Sequence, residues 1–153
     1  LLRMKETGLS DTALIGVYIF YNAIYAILSY PLASIADKIG AKKILIAGMV
    51  LFSIVYAGMG IGGNIIWYLL LFLLYGAYAA ATEGVSKAWI ASIVPKENTA
   101  AALGTFSGFQ SIAAFLASSI AGLIWVILGA SFTFILSAVV SLLVVIYIYR
   151  KTT

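Results

Sequence analysis

The sequence is dominated by apolar stretches long enough to cross a lipid bilayer, separated only by short polar or glycine-rich segments. An α-helix rises ~1.5 Å per residue, so about 20 apolar residues cross the ~30 Å hydrocarbon core of a membrane. Charged residues, glycine and proline divide the chain into five such spans, at about 12–36, 44–60, 65–94, 100–128 and 132–149. The sequence therefore predicts an all-α, multi-pass transmembrane helical bundle of five spans.

The composition argues against an ordinary soluble domain. Apolar residues make up 64% of the 153 residues and charged residues only 9%, against roughly 25% charged residues in soluble domains. Such a chain cannot cover a buried core with water-facing side chains, so its solvent is lipid. The formal charge of +4 comes from a few basic residues at helix ends rather than from a basic stripe, so we expect no nucleic-acid partner.

The missing residue types restrict the chemistry. The sequence has no Cys and no His, which removes disulfides, Cys or His metal ligands and imidazole acid–base catalysis. The few polar residues contain no paired carboxylates and no nucleophile–base pair. We therefore expect that the chain is not an enzyme and binds no metal or cofactor.

Basic residues occur in alternate connections between the spans. Positively charged residues are retained on the cytoplasmic side during membrane insertion. The pattern predicts a C-terminus in the cytoplasm, an N-terminal segment outside and a location in the cell (inner) membrane. The residues that carry this argument are Lys38, Lys42 and Lys43 after the first span, Lys96 after the third, and Arg150 and Lys151 after the fifth.

The connection between the first two spans is a tight charged turn over residues 33–43, Ala-Ser-Ile-Ala-Asp-Lys-Ile-Gly-Ala-Lys-Lys. On physical grounds alone, such lysines can simply fix the topology. The spacing small-x-x-x-Asp-basic-x-Gly-x-basic, however, resembles the signature loop that joins the second and third helices of each six-helix half in the major facilitator superfamily. The resemblance implies a gating loop made of Asp37, Lys38, Gly40, Lys42 and Lys43.

The resemblance continues along the chain. Residues 75–88 and 93–97 look like the fourth helix of the C-terminal half in prokaryotic members, and residues 102–106 and 118–125 extend the likeness. It implies that the five spans are helices eight to twelve of a twelve-helix transporter. On this interpretation, residues 1–153 are a partial C-terminal six-helix half of a longer protein, and residues 1–11 are the outer loop after helix seven. The N-terminal half of the same transporter is the implied partner.

Two ionisable residues lie within the third span. Glu83 and Lys87 are four residues apart and so share one helix face, with the acid on the N-terminal side. An ionised side chain near mid-bilayer costs ~2.5–3.5 kcal/mol on insertion scales, so such residues face a cavity or a partner. Either they form a self-neutralising pair, or Glu83 contacts a cation, a proton or a polar substrate while Lys87 tunes its charge. Alternatively, Lys87 extends towards the cytoplasmic interface and Glu83 finds another partner.

Polar and aromatic side chains form stripes on two spans. Spacings of three and four place such residues on one face of a helix, and that face should avoid lipid. Two such faces that meet would line a path for an amphipathic solute. Alternatively, the aromatic residues pack the helices against each other. The stripes are Tyr18, Asn22, Tyr25 and Ser29 on the first span, and Tyr75, Tyr78 and Thr82 on the third.

The fourth span carries small residues at four-residue spacing, Gly104 with Gly108 and Ser118 with Gly122. Small residues at this spacing let helices approach closely in lipid, so we expect them to serve helix packing. Gln110 differs from them because a long amide in lipid needs hydrogen-bond partners. We therefore include Gln110 among the candidate pathway residues.

The resemblance implies a secondary active transporter that works by alternating access, in which two halves rock about a mid-membrane site. The tyrosine-rich faces are compatible with a small organic solute as its substrate. Coupling to protons through Glu83 is part of this hypothesis. The alternative is a non-transporting membrane assembly subunit or a degenerate half-transporter. The expected partners of a transporter are the lipid bilayer and a small-molecule substrate. The sequence does not identify the substrate.

Overall fold

The computed structural model describes residues 1–150, and these fold into helices joined by short turns. The predicted all-α fold with five candidate membrane spans is confirmed, because five helices in the described part are long and apolar enough to cross a bilayer. Lys151, which entered the orientation argument, lies outside the described residues. The helices are α1 (Leu2–Glu6), α2 (Asp11–Ile39), α3 (Ala41–Ile61), α4 (Ile65–Ile93), α5 (Thr99–Leu128) and α6 (Ala130–Arg150), with a 3₁₀ turn at Lys96–Asn98.

The helix boundaries have local causes. The side chain of Ser10 accepts a hydrogen bond from the backbone N–H of Ala13 at 3.3 Å and caps α2, and the side chain of Asn64 caps α4 in the same way. α4 ends at Ile93 because Pro95 cannot continue the helix. Gly129 has a φ of 85° and forms the one-residue turn between α5 and α6.

The charged turn over residues 33–43 is shorter than the sequence suggests. α2 continues through Asp37 and Lys38, and α3 begins at Ala41, so that only Gly40, with a φ of 99°, lies outside the two helices. Charged side chains at the ends of helices can reach water without ending the helix. The bounds 12–36 and 44–60 therefore mark the apolar parts of two longer helices.

The segment before α2 also differs from its prediction as a loop, because it contains the short helix α1. The side chain of Met4 on α1 is fully buried and belongs to the main apolar cluster of the bundle. α1 is therefore packed onto the bundle at the end where α3 finishes and α4 begins. The other buried members of this cluster are Val17, Val55, Met59, Tyr68, Leu71 and Phe72.

α4 is the central helix of the bundle. It packs extensively against α2 on one side and α3 on the other, and α3 packs in turn against α6. α5 makes few contacts with the other helices, and none of its residues is buried. The described part of the chain is thus a layer of four helices with α5 attached through its two ends.

Close helix packing occurs at glycines of α3 and α4. A Cβ atom on Gly76 would lie 2.8 Å from Cγ2 of Ile24 and 3.1 Å from the backbone oxygen of Tyr21, both on α2. A Cβ atom on Gly48 would lie 2.7 Å from Cγ2 of Thr82 on α4. These glycines let α4 approach both of its neighbours, as small residues do in lipid.

The glycines of α5 behave differently from their prediction. Cβ atoms on Gly104, Gly108 and Gly122 would meet nothing within 4 Å. Within the described residues, the close packing expected of this helix therefore occurs instead at α3 and α4. The physical reason is that α5 lies apart from the central layer.

We expect the substitution Gly76→Ala to lower the free energy of unfolding by about 1–3 kcal/mol, because overpacking a tight helix contact forces the helices apart. The matched control is Gly84→Ala on the same helix, where a Cβ atom would meet nothing within 4 Å. Denaturation of the purified protein in detergent measures both. Equal stability of the two variants would contradict the close approach of α2 and α4.

Candidate functional site

The crossing of α2 and α4 brings the two tyrosine stripes together. The ring centroids of Tyr21 and Tyr75, on opposite helices, are 5.2 Å apart. Along each helix the rings continue, with Tyr18 and Tyr21 at 6.2 Å and Tyr75 and Tyr78 at 5.4 Å. We call Tyr18, Tyr21, Tyr25, Tyr75 and Tyr78 the tyrosine array.

Glu83 is the acidic group of this array. The hydroxyl of Tyr25 on α2 lies near the carboxylate of Glu83 on α4, and the two groups interact across the helix interface. The same carboxylate also interacts electrostatically with the hydroxyls of three further members of the array, Tyr21, Tyr75 and Tyr78. Glu83 is exposed, so the described helices do not enclose its carboxylate and a ligand can reach it.

Lys87 is not the partner of Glu83 in this structure. Near α1, Arg3 forms an ion pair with Glu6 at 3.3 Å and Lys5 forms one with Asp11 at 3.0 Å. Neither involves Glu83, and Lys87 is exposed on α4. The structure thus shows no ion pair between Glu83 and Lys87 among residues 1–150, and the self-neutralising pair stays a prediction. The Glu83 side chain turns instead towards Tyr25 across the helix interface.

A cavity of about 390 Å³ lies beside the array, between α2, α3, α4 and α6. We call it the tyrosine cavity. Two of the predicted pathway residues, Tyr18 and Asn22, line it. The side-chain amide of Asn22 donates to the backbone oxygen of Tyr18 at 2.8 Å. Further lining residues are Leu1, Tyr21, Val55, Tyr56, Met59, Phe72, Tyr75 and Phe134.

Seven of the ten lining residues were not predicted, among them Tyr21, Tyr56 and Phe134. Tyr21 shares the face of Tyr18 and Tyr25, so its spacing was a usable signal. Tyr56 on α3 and Phe134 on α6 stand among other aromatic residues of apolar helices, and no spacing distinguishes them. Their rings are 5.4 Å apart, which links the wall of α3 to that of α6.

Other predicted polar residues are used within their own helices. The hydroxyl of Ser29 donates to the backbone oxygen of Tyr25 at 2.6 Å, and that of Thr82 donates to the backbone oxygen of Tyr78 at 2.9 Å. Gln110 is exposed on α5, away from the array, and its amide makes no hydrogen bond with residues 1–150. The structure therefore places Tyr18 and Asn22 at the tyrosine cavity, and Tyr25 and Tyr78 near Glu83 at the crossing of α2 and α4.

The predicted gating loop lies at the other end of the bundle. Asp37 and Gly40 line a cavity of about 410 Å³ with Trp89 and Ser92 of α4. Lys38 is in the last turn of α2, whereas Lys42 and Lys43 are in the first turn of α3. The loop is thus a junction of α2, α3 and α4, separated along the bundle from the tyrosine cavity.

The chain resembles known membrane transporters. An uncharacterized MFS-type transporter of Methanocaldococcus jannaschii is 34% identical over 129 residues, which cover 84% of this chain and 32% of that protein. The multi-drug resistance efflux pump PmrA of Streptococcus pneumoniae is 40% identical over 93 residues, which cover 60% of this chain and 23% of that protein. No solved structure matches the chain significantly.

The chain thus spans about a third or less of the length of these relatives. The family model of the Major Facilitator Superfamily matches residues 2–153, which is nearly the whole chain. The match agrees with the five apolar helices and with the resemblance of residues 33–43 to the signature loop. The chain is therefore a multi-pass membrane protein that belongs to the Major Facilitator Superfamily of transporters.

Proposed function

We propose that the chain is part of a secondary active transporter that moves a small organic solute across the membrane by alternating access. The observation that carries this proposal is the exposed carboxylate of Glu83, which interacts with Tyr25 at the crossing of α2 and α4. At ~1.5 Å per residue, Glu83 is about 15 Å along α4 from its end at Ile93. That distance is about half of the ~30 Å hydrocarbon core, where transporters bind their solutes.

The chemistry of the array favours a solute that is amphipathic and carries a positive charge or a hydrogen-bond donor. An ionised carboxylate at this depth costs ~2.5–3.5 kcal/mol unless it faces a cavity or a partner. Tyrosine rings attract cations at their faces, and their hydroxyls hydrogen-bond with polar groups. The printed name of one relative, a multi-drug resistance efflux pump, is compatible with such a solute.

The proposal places residues 1–153 in the C-terminal half of a twelve-helix protein, as helices eight to twelve. Supporting this placement, the tyrosine cavity has an open side and α5 has no buried residue, so the described helices alone do not enclose a site. The N-terminal half of the same protein would supply the opposite wall. Rocking of the halves would then open the site to each side in turn.

The proposal also orients the chain in the cell membrane. Lys38, Lys42, Lys43 and Lys96 all belong to the end of the bundle opposite α1. The bias of basic residues assigns this end to the cytoplasm. The end that carries α1 is then outside.

The substitution Glu83→Gln in the complete protein should abolish the response of transport to a proton gradient, because the amide cannot exchange a proton. Uptake or efflux of a fluorescent organic cation, measured in vesicles with and without the gradient, tests this. Lys87→Gln is the matched variant on the same helix face, and it should retain the response because Lys87 does not pair with Glu83. A response that is unchanged in Glu83→Gln would refute proton coupling through this residue.

The substitution Tyr25→Phe should raise the KM for the transported cation about two- to tenfold. The hydroxyl of Tyr25 would no longer hold the carboxylate of Glu83 in place for the cation, and one hydrogen bond contributes roughly 0.5–1.5 kcal/mol to a free energy of binding. The control is Tyr30→Phe on the same helix, where the side chain is 82% exposed and lies outside the array. Initial transport rates over a range of solute concentrations give both values. Identical KM values in the two variants would exclude Tyr25 from the site.

The orientation can be tested with single cysteines, because residues 1–153 contain none. A membrane-impermeant maleimide added to intact cells should label Ile61→Cys, near α1, and should not label Lys43→Cys. In inside-out vesicles the result should reverse. Labelling of Lys43→Cys in intact cells would overturn the assignment of the lysine-rich end to the cytoplasm.

A further inference from the structure

The short helix α1 is connected to the turn between α5 and α6, although more than 110 residues separate them in sequence. An Nη atom of Arg3 donates a hydrogen bond to the hydroxyl of Ser131 at 3.0 Å. The indole N–H of Trp125 donates to a carboxylate oxygen of Glu6 at 3.1 Å. Arg3 and Glu6 also form an ion pair at 3.3 Å. Four side chains from three helices thus form one connected network.

The network differs from the ordinary surface ion pair beside it. The side chains of Arg3 and Glu6 are 22% and 45% exposed, whereas those of Lys5 and Asp11, which pair at 3.0 Å, are 61% and 75% exposed. Exposed pairs contribute little to stability because water and salt screen them. The Lys5–Asp11 pair also joins α1 only to α2, its neighbour in the chain. The contacts of Arg3 with Ser131 and of Glu6 with Trp125 therefore join α1 to α6 and α5, which are distant in sequence.

This network lies over the tyrosine cavity. Leu1, at the start of α1, lines the cavity, and so does Phe134, which lies less than one turn beyond Ser131 on α6. Met4 on α1 is fully buried in the apolar cluster that contains Met59, another lining residue. Moving α1 away from the bundle would therefore uncover the cavity from this end.

A row of aromatic rings leads from the network to the array. The rings of Trp125 and Phe134 are 5.5 Å apart, those of Phe134 and Tyr56 are 5.4 Å apart, and those of Tyr56 and Tyr75 are 6.5 Å apart. Side chains packed in this way cannot move independently. The row therefore connects the network to the tyrosine array through neighbouring aromatic rings.

The closed arrangement leaves two buried polar groups without partners among residues 1–150. They are the Nε atom of Arg3 and the hydroxyl of Tyr68, which both lie near Gly62. A buried group without a hydrogen bond loses the hydration that it would have in water. This cost would be removed in an arrangement of α1 that lets water reach these groups, and it offsets part of the stabilisation by the three contacts of the network.

We propose that α1 and the α5–α6 turn form a clamp over the tyrosine cavity, held by the Glu6–Trp125 and Arg3–Ser131 hydrogen bonds. The clamp closes this end of the bundle, and it opens when solute passes between the cavity and this side of the membrane. Arg3, Glu6, Trp125 and Ser131 are positioning residues on this proposal and do not contact the solute.

The test uses the complete transporter, purified in detergent, with every cysteine removed except one introduced by Met59→Cys. Met59 is 6% exposed under α1, so a hydrophilic maleimide reaches this position only when the clamp opens. We expect Trp125→Phe, which keeps the aromatic ring, and Ser131→Ala each to accelerate labelling roughly two- to tenfold, the factor that corresponds to one net hydrogen bond.

Two controls accompany the test. Lys5→Gln breaks the ion pair of α1 that does not reach α5 or α6, and it should leave the labelling of Met59→Cys unchanged. A second reporter, Ile61→Cys, is 76% exposed in the closed structure, and its labelling should be equal in all variants. Equal labelling of Met59→Cys with Trp125→Phe, with Ser131→Ala and without a second substitution would overturn the clamp. An equal acceleration by Lys5→Gln would also overturn it. Since labelling does not require transport, failure here would be distinguishable from failure of the proposed transport function.

Discussion

The close approach of α2 to α4 at Gly76 is the contact on which the site depends. Because Gly76 has no Cβ atom, the backbone of α4 lies directly against Ile24 and the backbone of Tyr21. At this distance, Tyr21 meets Tyr75, and one helical turn or two farther along, Tyr25 reaches Glu83. A wider separation of the helices would leave the carboxylate of Glu83 in lipid without a partner, at a cost of several kcal/mol. The array therefore exists because the two backbones touch.

Lipid as the solvent explains why the fold consists of helices joined by short turns and why few polar groups are left open. Every backbone N–H and C=O group in the membrane core must be satisfied within the chain, which leaves helices joined by minimal turns such as Gly40 and Gly129. Several hydroxyls are satisfied in the same way, because Ser29 and Thr82 donate to their own helices. Few polar groups of residues 1–150 remain open to a ligand, and the exposed carboxylate of Glu83 beside the tyrosine array is one of them.

The sequence was sufficient to predict the five membrane-spanning helices and the family, because apolar length and the spacing of residues 33–43 are local signals. It also predicted that Tyr25, Tyr78 and Glu83 belong to one region. It did not predict the partner of Glu83, since Lys87 at four-residue spacing is indistinguishable from a real partner until the packing of α2 is known. The contacts of Arg3 with Ser131 and of Glu6 with Trp125 were equally unpredictable, because they join residues far apart in sequence.

The central claim is that Glu83 and Tyr25 meet between α2 and α4 and face a cavity shared by the two halves of a transporter. An electron cryomicroscopy structure of the complete protein in lipid nanodiscs, with resolved side chains, tests this most directly. The account predicts the Glu83 carboxylate within hydrogen-bond distance of the Tyr25 hydroxyl, on a wall of the cavity between the halves. A Glu83 side chain that faces lipid, or that is paired with Lys87 and separated from Tyr25, would contradict the account.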